Sequence, residues 1–235
     1  MDQATKSFRW SFSQWENYDG CPARWKYKSV LKLPSSPPGP AAARGLEMHD
    51  RAHQYIVGAI DDLEPPTQTF GSKRPVLITG KYQEVLDEFR NHPNGERYAE
   101  HKLSFDDGWY LCGPMSPKAW CVGVLDAARG TNGVVHIGEW KSGSPKNTHS
   151  DQRKLYALFG LRRWLVDEVR VTTFYFEDTA PPDRLVVKST AEDKLRSLWQ
   201  WRVEQMKNDK ICAPKPGDAC RWCDYSKAKG GPCVF

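Results

Sequence analysis

Residues 129–134 read RGTNGV, and the Asn132-Gly133 pair at their centre constrains this chain more than any other feature. A two-residue hairpin turn of type I′ needs positive φ at both central positions, and Asn-Gly accepts that readily. The runs on either side, AWCVGVLDAAR (119–129) and VVHIGEW (134–140), read as strands. With Asn132 and Gly133 in the turn, Thr131 faces Val134, and the same register sets Asp126 opposite Glu139. Their Cβ atoms would then lie roughly 5 Å apart. Lys141 follows Glu139 by two residues and shares its face. Trp140, between them, points the other way and into a core, with its backbone carbonyl still near the first face.

Two carboxylates facing each other repel unless a cation lies between them. A divalent ion such as Mg²⁺ or Mn²⁺, which prefers hard oxygen ligands, resolves the conflict. Lys141 adds a charge that can activate water or stabilise a phosphate. Taken alone, a D…E-x-K is more often a salt-bridged hairpin on a solvated sheet face, so the surroundings must decide.

SFSQWENYDGCPARWKYKSVL (11–31) reads as a helix capped by Ser11 or Ser13 and broken at Gly20-Cys21-Pro22. A proline-rich loop (34–40) precedes a second helix (41–60) and a short one near 79–90. Strands over 97–105, 119–129 and 134–140 lead to an amphipathic helix over 148–166. Its core face is expected at Leu155, Leu158, Phe159 and Leu165. A strand (168–178) and a helix (190–208) precede a cysteine-rich tail. This order predicts an α/β fold with a mixed central sheet flanked by helices. A chain of 235 residues suffices for one domain with a substantial core.

Hydrophobic content of 39% and charged content of 27% fit a folded protein, not a disordered one. The net charge of +5 permits a polyanionic partner without requiring one. No apolar run approaches a membrane span. The start, MDQATKSFRW, lacks a basic segment followed by an apolar one, so a cytoplasmic location is expected.

On the helix after the hairpin, Gln152 and Tyr156 are four apart and share a face. They can line a groove as donors to phosphate, or sit as ordinary boundary residues. His49 and His53 have the H-x-x-x-H spacing of a zinc half-site, but no third ligand is evident, and either histidine taken alone is more commonly solvent-facing.

Gly45-x-x-x-His49, Gly123-x-x-Asp126, Glu139-x-Lys141 and Gln152-x-x-x-Tyr156 follow one another in order. Together they resemble the motifs of the PD-(D/E)xK nuclease superfamily, specifically its RecB-like branch. The resemblance implies a restriction-endonuclease-like core, metal ligation by His49, Asp126 and Glu139, and catalysis by Lys141. Gln152 and Tyr156 match an accessory motif, and Glu100 matches a less constant acidic position. Leucine stands before Asp126 where the superfamily name has proline. The implied reaction is Mg²⁺- or Mn²⁺-dependent hydrolysis of DNA, single-stranded or with free ends, by an exonuclease. An endonuclease on the same site and a DNA-binding scaffold are the alternatives.

Seven cysteines in a reducing compartment point to buried thiols or metal ligands. Cys220, Cys223 and Cys233 cluster in the tail, and by spacing alone Cys212 is the nearest fourth ligand for zinc. RecB-like nucleases with an iron–sulfur cluster pair such a tail with an N-terminal Y-x-x-C-P, which Tyr18–Pro22 is similar to. The resemblance thus implies a [4Fe-4S] cluster on Cys21, Cys220, Cys223 and Cys233, with Zn²⁺ as the alternative. Segments 1–40 and 190–235 would form the cluster module around a nuclease core at 41–189. Cys112, Cys121 and Cys212 read as small apolar residues. CRISPR-associated and phage RecB-like exonucleases of this size are similar. They work in DNA recombination, replication or repair, some as homo-oligomers or in complexes with recombination or CRISPR proteins.

Overall fold

The computed structural model describes residues 8–63, 83–91, 98–176, 178 and 180–235. A short strand, β1 (Trp10–Ser11), runs into α1 (Phe12–Gly20), whose first turn is capped by Ser11 accepting from the Gln14 N–H. The break at Gly20-Cys21-Pro22 falls where the sequence sets it, because Pro22 opens α2 (Pro22–Trp25) with no N–H to give. α3 (Pro40–Val57) and α4 (Gln83–Arg90) follow; the expected start of α4 near 79 lies outside the described residues. Then come β2 (Tyr98–Phe105), β3 (Cys121–Thr131) and β4 (Val134–Lys141). α5 (Asn147–Trp164) crosses over to β5 (Glu168–Tyr175), and β6 (Asp183–Lys188) and α6 (Glu192–Asn208) follow.

The strands form one mixed sheet in the order β1-β3-β4-β5-β6, with β2 also on β3. The β3–β4 hairpin turns through Asn132 (φ 49°) and Gly133 (φ 76°) in the expected register, from Thr131–Val134 to Ala127–Gly138. β4 and β5 are parallel, as a helical crossover requires. β1 and β6 were not foreseen, and β5 ends at Tyr175, short of 178.

One core lies between the sheet and α1, α5 and α6, built on Trp10, Phe105, Leu125, Ile137, Phe159 and Trp199. The other lies between the sheet and α3 and α4, built on Met48, Ile56, Leu86, Phe89, Trp140 and Phe174. Each fully buried leucine or phenylalanine in these layers contributes about 1.5–3 kcal/mol of transfer free energy. Trp140 points into the second core as expected. Leu155, Leu158 and Phe159 are buried as predicted, but Leu165 is 79% exposed: it ends α5 in a left-handed conformation (φ 52°), which turns it outward. Cys121 and Cys212 are buried, whereas Cys112 is half-buried. Among the described residues, no helix is long and apolar enough to cross a membrane.

Candidate active site

β3 carries β2 along one edge, from Cys121 to Ala128. Along its other edge β1 covers Cys121 and Val122, and β4 covers 127–131. On that second edge, among the described residues, no strand lies beside 123–126, and a cleft of about 640 Å³ opens there. α1 forms one wall, through Phe12, Ser13 and Glu16. Lys141 and the first turns of α5 form the other.

The β3–β4 ladder stops one pair short of Asp126 and Glu139. Both carboxylates are buried. Asp126 Oδ2 accepts the Trp140 backbone N–H at 2.7 Å, and Oδ1 lies 3.2 Å from His49 Nδ1. His49 arrives on α3, and Glu100 approaches the same imidazole nitrogen at 3.8 Å.

Glu100 has φ 48°, a left-handed conformation inside a strand. The two faces of β2 exchange there. Ala99 packs on the α3–α4 core, yet Leu103, an even number of residues later, packs on the α5 core. β3 does the same across Asp126, with Leu125 in one core and Ala127 in the other. This paired exchange lets helices from opposite sides of the sheet converge on one site. Gly45 permits the approach of α3: a Cβ there would lie 3.2 Å from Ser142 Oγ, just beyond Lys141.

The ligand atoms of His49, Glu100 and Asp126 lie within 4.8 Å of one another, a set able to hold a metal ion. Glu139 stands outside that set. Its Oε1 accepts from Lys141 Nζ at 2.5 Å and from Gln152 Nε2 at 2.8 Å. Among the described residues its Oε2 is buried with no hydrogen-bond partner. Two carboxylates, an imidazole and an orphaned carboxylate oxygen fit a hard divalent cation. His53, one turn further on α3, joins no such group among the described residues.

Burial lowers the basicity of His49, but hydrogen bonds to Asp126 and Glu100 outweigh it and raise its pKa to about 10. Burial and then the Asp126 charge push the Glu139 carboxyl upward, against the pull of Lys141. Burial disfavours the Lys141 ammonium, yet Glu139 holds its pKa above the ordinary value. Burial and then Glu139 keep Tyr156 protonated.

The accessory pair differs in one respect from expectation. Gln152 Nε2 donates to both Glu139 Oε1 and the Tyr156 hydroxyl, the latter at 3.0 Å, so its N–H groups are not free for phosphate. Gln152 orients Glu139, and Tyr156 keeps an O–H that can donate. Sequence reasoning passed over His149, Lys146, Lys102 and Arg9, which also line the cleft. The available signal was His149 three residues before Gln152, on the same helix face.

Cys21, Cys220, Cys223 and Cys233 line a second, small cavity with Tyr27 and Tyr225, and all are free thiols. Cys212 is not among its lining residues; its thiol donates to the Asp209 carbonyl at 3.2 Å. No three of the four cavity sulfurs lie within 4.8 Å of one another. Cys21 caps the end of α1, so one helix borders both cavities.

The sequence pattern of the PD-(D/E)XK nuclease superfamily matches residues 9–228. The chain belongs to this superfamily. Its sheet and flanking helices are those of a restriction-endonuclease-like core; such nucleases use divalent metals and act on DNA. No curated protein matches the sequence significantly. Among solved structures, SSO0001 is similar at 14% identity and a TM-score of 0.46, covering 99% of this chain and 89% of its own. LHK-Exo, solved with dAMP, is similar at 11% and 0.40, covering 85% and 88%. A candidate exonuclease from Eubacterium rectale is similar at 12% and 0.44, covering 99% and 91%. At these scores the likeness carries no argument about activity.

Proposed function

We propose that this nuclease is a divalent-metal-dependent DNA exonuclease of the RecB-like branch, acting in DNA recombination, replication or repair. The observation that carries the reading is the convergence of Asp126 and Lys141, the latter paired with the buried Glu139, on a cleft that also presents Arg9, Lys102 and Lys146. His49, Glu100, Asp126 and Glu139 would hold the cation. When bound, Mg²⁺ or Mn²⁺ would polarise the scissile phosphate and lower the pKa of the attacking water.

The chain's own residues supply the rest. Lys141, kept charged by Glu139, stabilises negative charge developing on the phosphate. Gln152 fixes the Glu139 carboxylate, and the Tyr156 hydroxyl donates into the cleft. Phe12 and Leu103 on the opposite wall limit water around the phosphate.

We read the four-cysteine cavity as the seat of a [4Fe-4S] cluster, held by a module of residues 1–40 and 190–235 within one domain. Four free thiols around one cavity support it.

The test is degradation of 5′- and 3′-labelled single- and double-stranded DNA with Mg²⁺ or Mn²⁺, with Lys141→Ala as control. Release of terminal nucleotides by the wild type alone supports the reading. Cutting of closed circular single-stranded DNA would replace it with an endonuclease, and uncut DNA under all conditions would overturn it. Protein purified without oxygen should be yellow-brown with about four irons per chain; a colourless protein with one zinc would reassign the cysteines.

A further inference from the structure

We infer that His149 is a substrate-binding residue whose Nε2–H donates to a phosphate oxygen of the nucleic acid strand in the cleft. The inference rests on the nuclease reading above and extends it to a residue outside the superfamily motifs.

His149 sits in the first turn of α5, is 7% exposed, and lines the cleft. Its ring is fixed from behind. It stacks on Tyr175 with centroids 5.8 Å apart. The Lys146 backbone N–H donates to Nδ1 at 3.3 Å, so the proton of the neutral ring belongs on Nε2. The Tyr175 hydroxyl lies 3.2 Å from Nδ1 and is itself tied to Asp183 at 2.8 Å. Asp183 also accepts from Arg153, at 3.3 Å.

Among the described residues Nε2 has no hydrogen-bond partner, and the ring lines the cleft. A donor this rigidly aimed, on a side chain otherwise removed from water, fits a ligand acceptor. The acceptor is anionic: Lys141 and Lys146 line the same space, and α5 presents its N-terminus to it. The charged groups around the ring agree with a neutral donor. Burial first, then Lys141, Lys146 and Arg153, lower its pKa to about 4 against the opposing pull of Asp183. At neutral pH the residue is thus a fixed dipole and not a proton source.

The test uses full-length protein labelled with ¹⁵N at histidine, in EDTA, titrated with a short oligothymidylate. Long-range ¹H–¹⁵N spectra should show His149 as the Nε2-protonated tautomer, and the Nε2 proton should shift as the oligonucleotide binds. His149→Ala should weaken binding about tenfold. His149→Gln, which returns an N–H near the Nε2 position, should recover most of the loss. A methylphosphonate oligothymidylate should bind wild type and His149→Ala alike. An Nδ1-protonated ring, or an unmoved resonance while the oligonucleotide binds, would overturn this inference alone. Failure of the wild type to bind the oligonucleotide would overturn it together with the nuclease reading.

Discussion

A β-carbon added to Gly123 would lie 2.4 Å from the ring of Phe159. Gly123 borders the cleft on β3, and Phe159 fills the core where α5 meets the sheet. The glycine of the Gly-x-x-Asp stretch is therefore a packing requirement. Gly123→Ala should cost about 1–3 kcal/mol through overpacking, read as a lower urea midpoint. Adding Phe159→Leu, which removes the clashing ring edge, should return part of that loss; strictly additive losses would refute the contact as the cause.

Glu100 faces His49 from a left-handed backbone that a side chain disfavours. Glu100→Gly should raise folding stability by about 0.5–1 kcal/mol, net of the added freedom of the unfolded chain. The same variant should bind Mn²⁺ more weakly by calorimetry. Glu100→Gln keeps the backbone conformation and loses the charge, so it should weaken Mn²⁺ binding without the gain in stability. Equal Mn²⁺ affinity in all three proteins would remove Glu100 from the ligand set.

Gln152→Ala should lower DNA cleavage about 10–100-fold, the usual cost of losing a partner that orients a ligand. Melting temperature should change little by comparison. Were Gln152 a direct phosphate donor, the loss would fall on oligonucleotide binding in EDTA; as an orienter of Glu139 it should leave that binding intact.

The Tyr18 hydroxyl donates to Asp209 Oδ2 at 3.1 Å, tying α1 to the end of α6. The Cys212 backbone N–H, with Tyr18 assisting, holds Asp209 below its ordinary value of 3.8. Its contribution to stability is thus complete above about pH 4 and fades as pH falls through the depressed value. Burial, then the bond to Asp209, raises Tyr18 to about 12. That contribution is complete below the ordinary value of 10 and fades between pH 10 and 12. Tyr18→Phe should flatten the alkaline limb of a denaturation series, and Asp209→Asn the acid limb. Unchanged limbs would mean that the bond contributes nothing to folding.

The parts of the site legible in the sequence are those governed by short-range rules. Asn132-Gly133 determines its own turn, and the period of two carries that register as far as Ala127 and Gly138, one pair short of Asp126 and Glu139, and turns Trp140 inward. What escaped depends on chain segments far apart. β1 is two residues long and exists because Cys121 and Val122 accept it. β6 is an edge strand whose DRLVVK pattern gains its partner only from β5. The left-handed turns at Glu100 and Leu165 are imposed by packing on residues with no preference for them. His149 belongs to none of the motifs and stands out only through Lys146 and Tyr175, which hold its ring, and Gln152 reads as a free donor although Glu139 occupies it.

The stacking of Trp10 on Trp199 has a consequence for how this protein comes to exist. β1 and α1, the first wall of the cleft, leave the ribosome well before α6, which carries the indole that seats them. The hairpin bearing Asp126 and Glu139 can form on the nascent chain, while the wall opposite must wait for α6. The cleft of this nuclease is in this way walled on both sides only once α6 has been made.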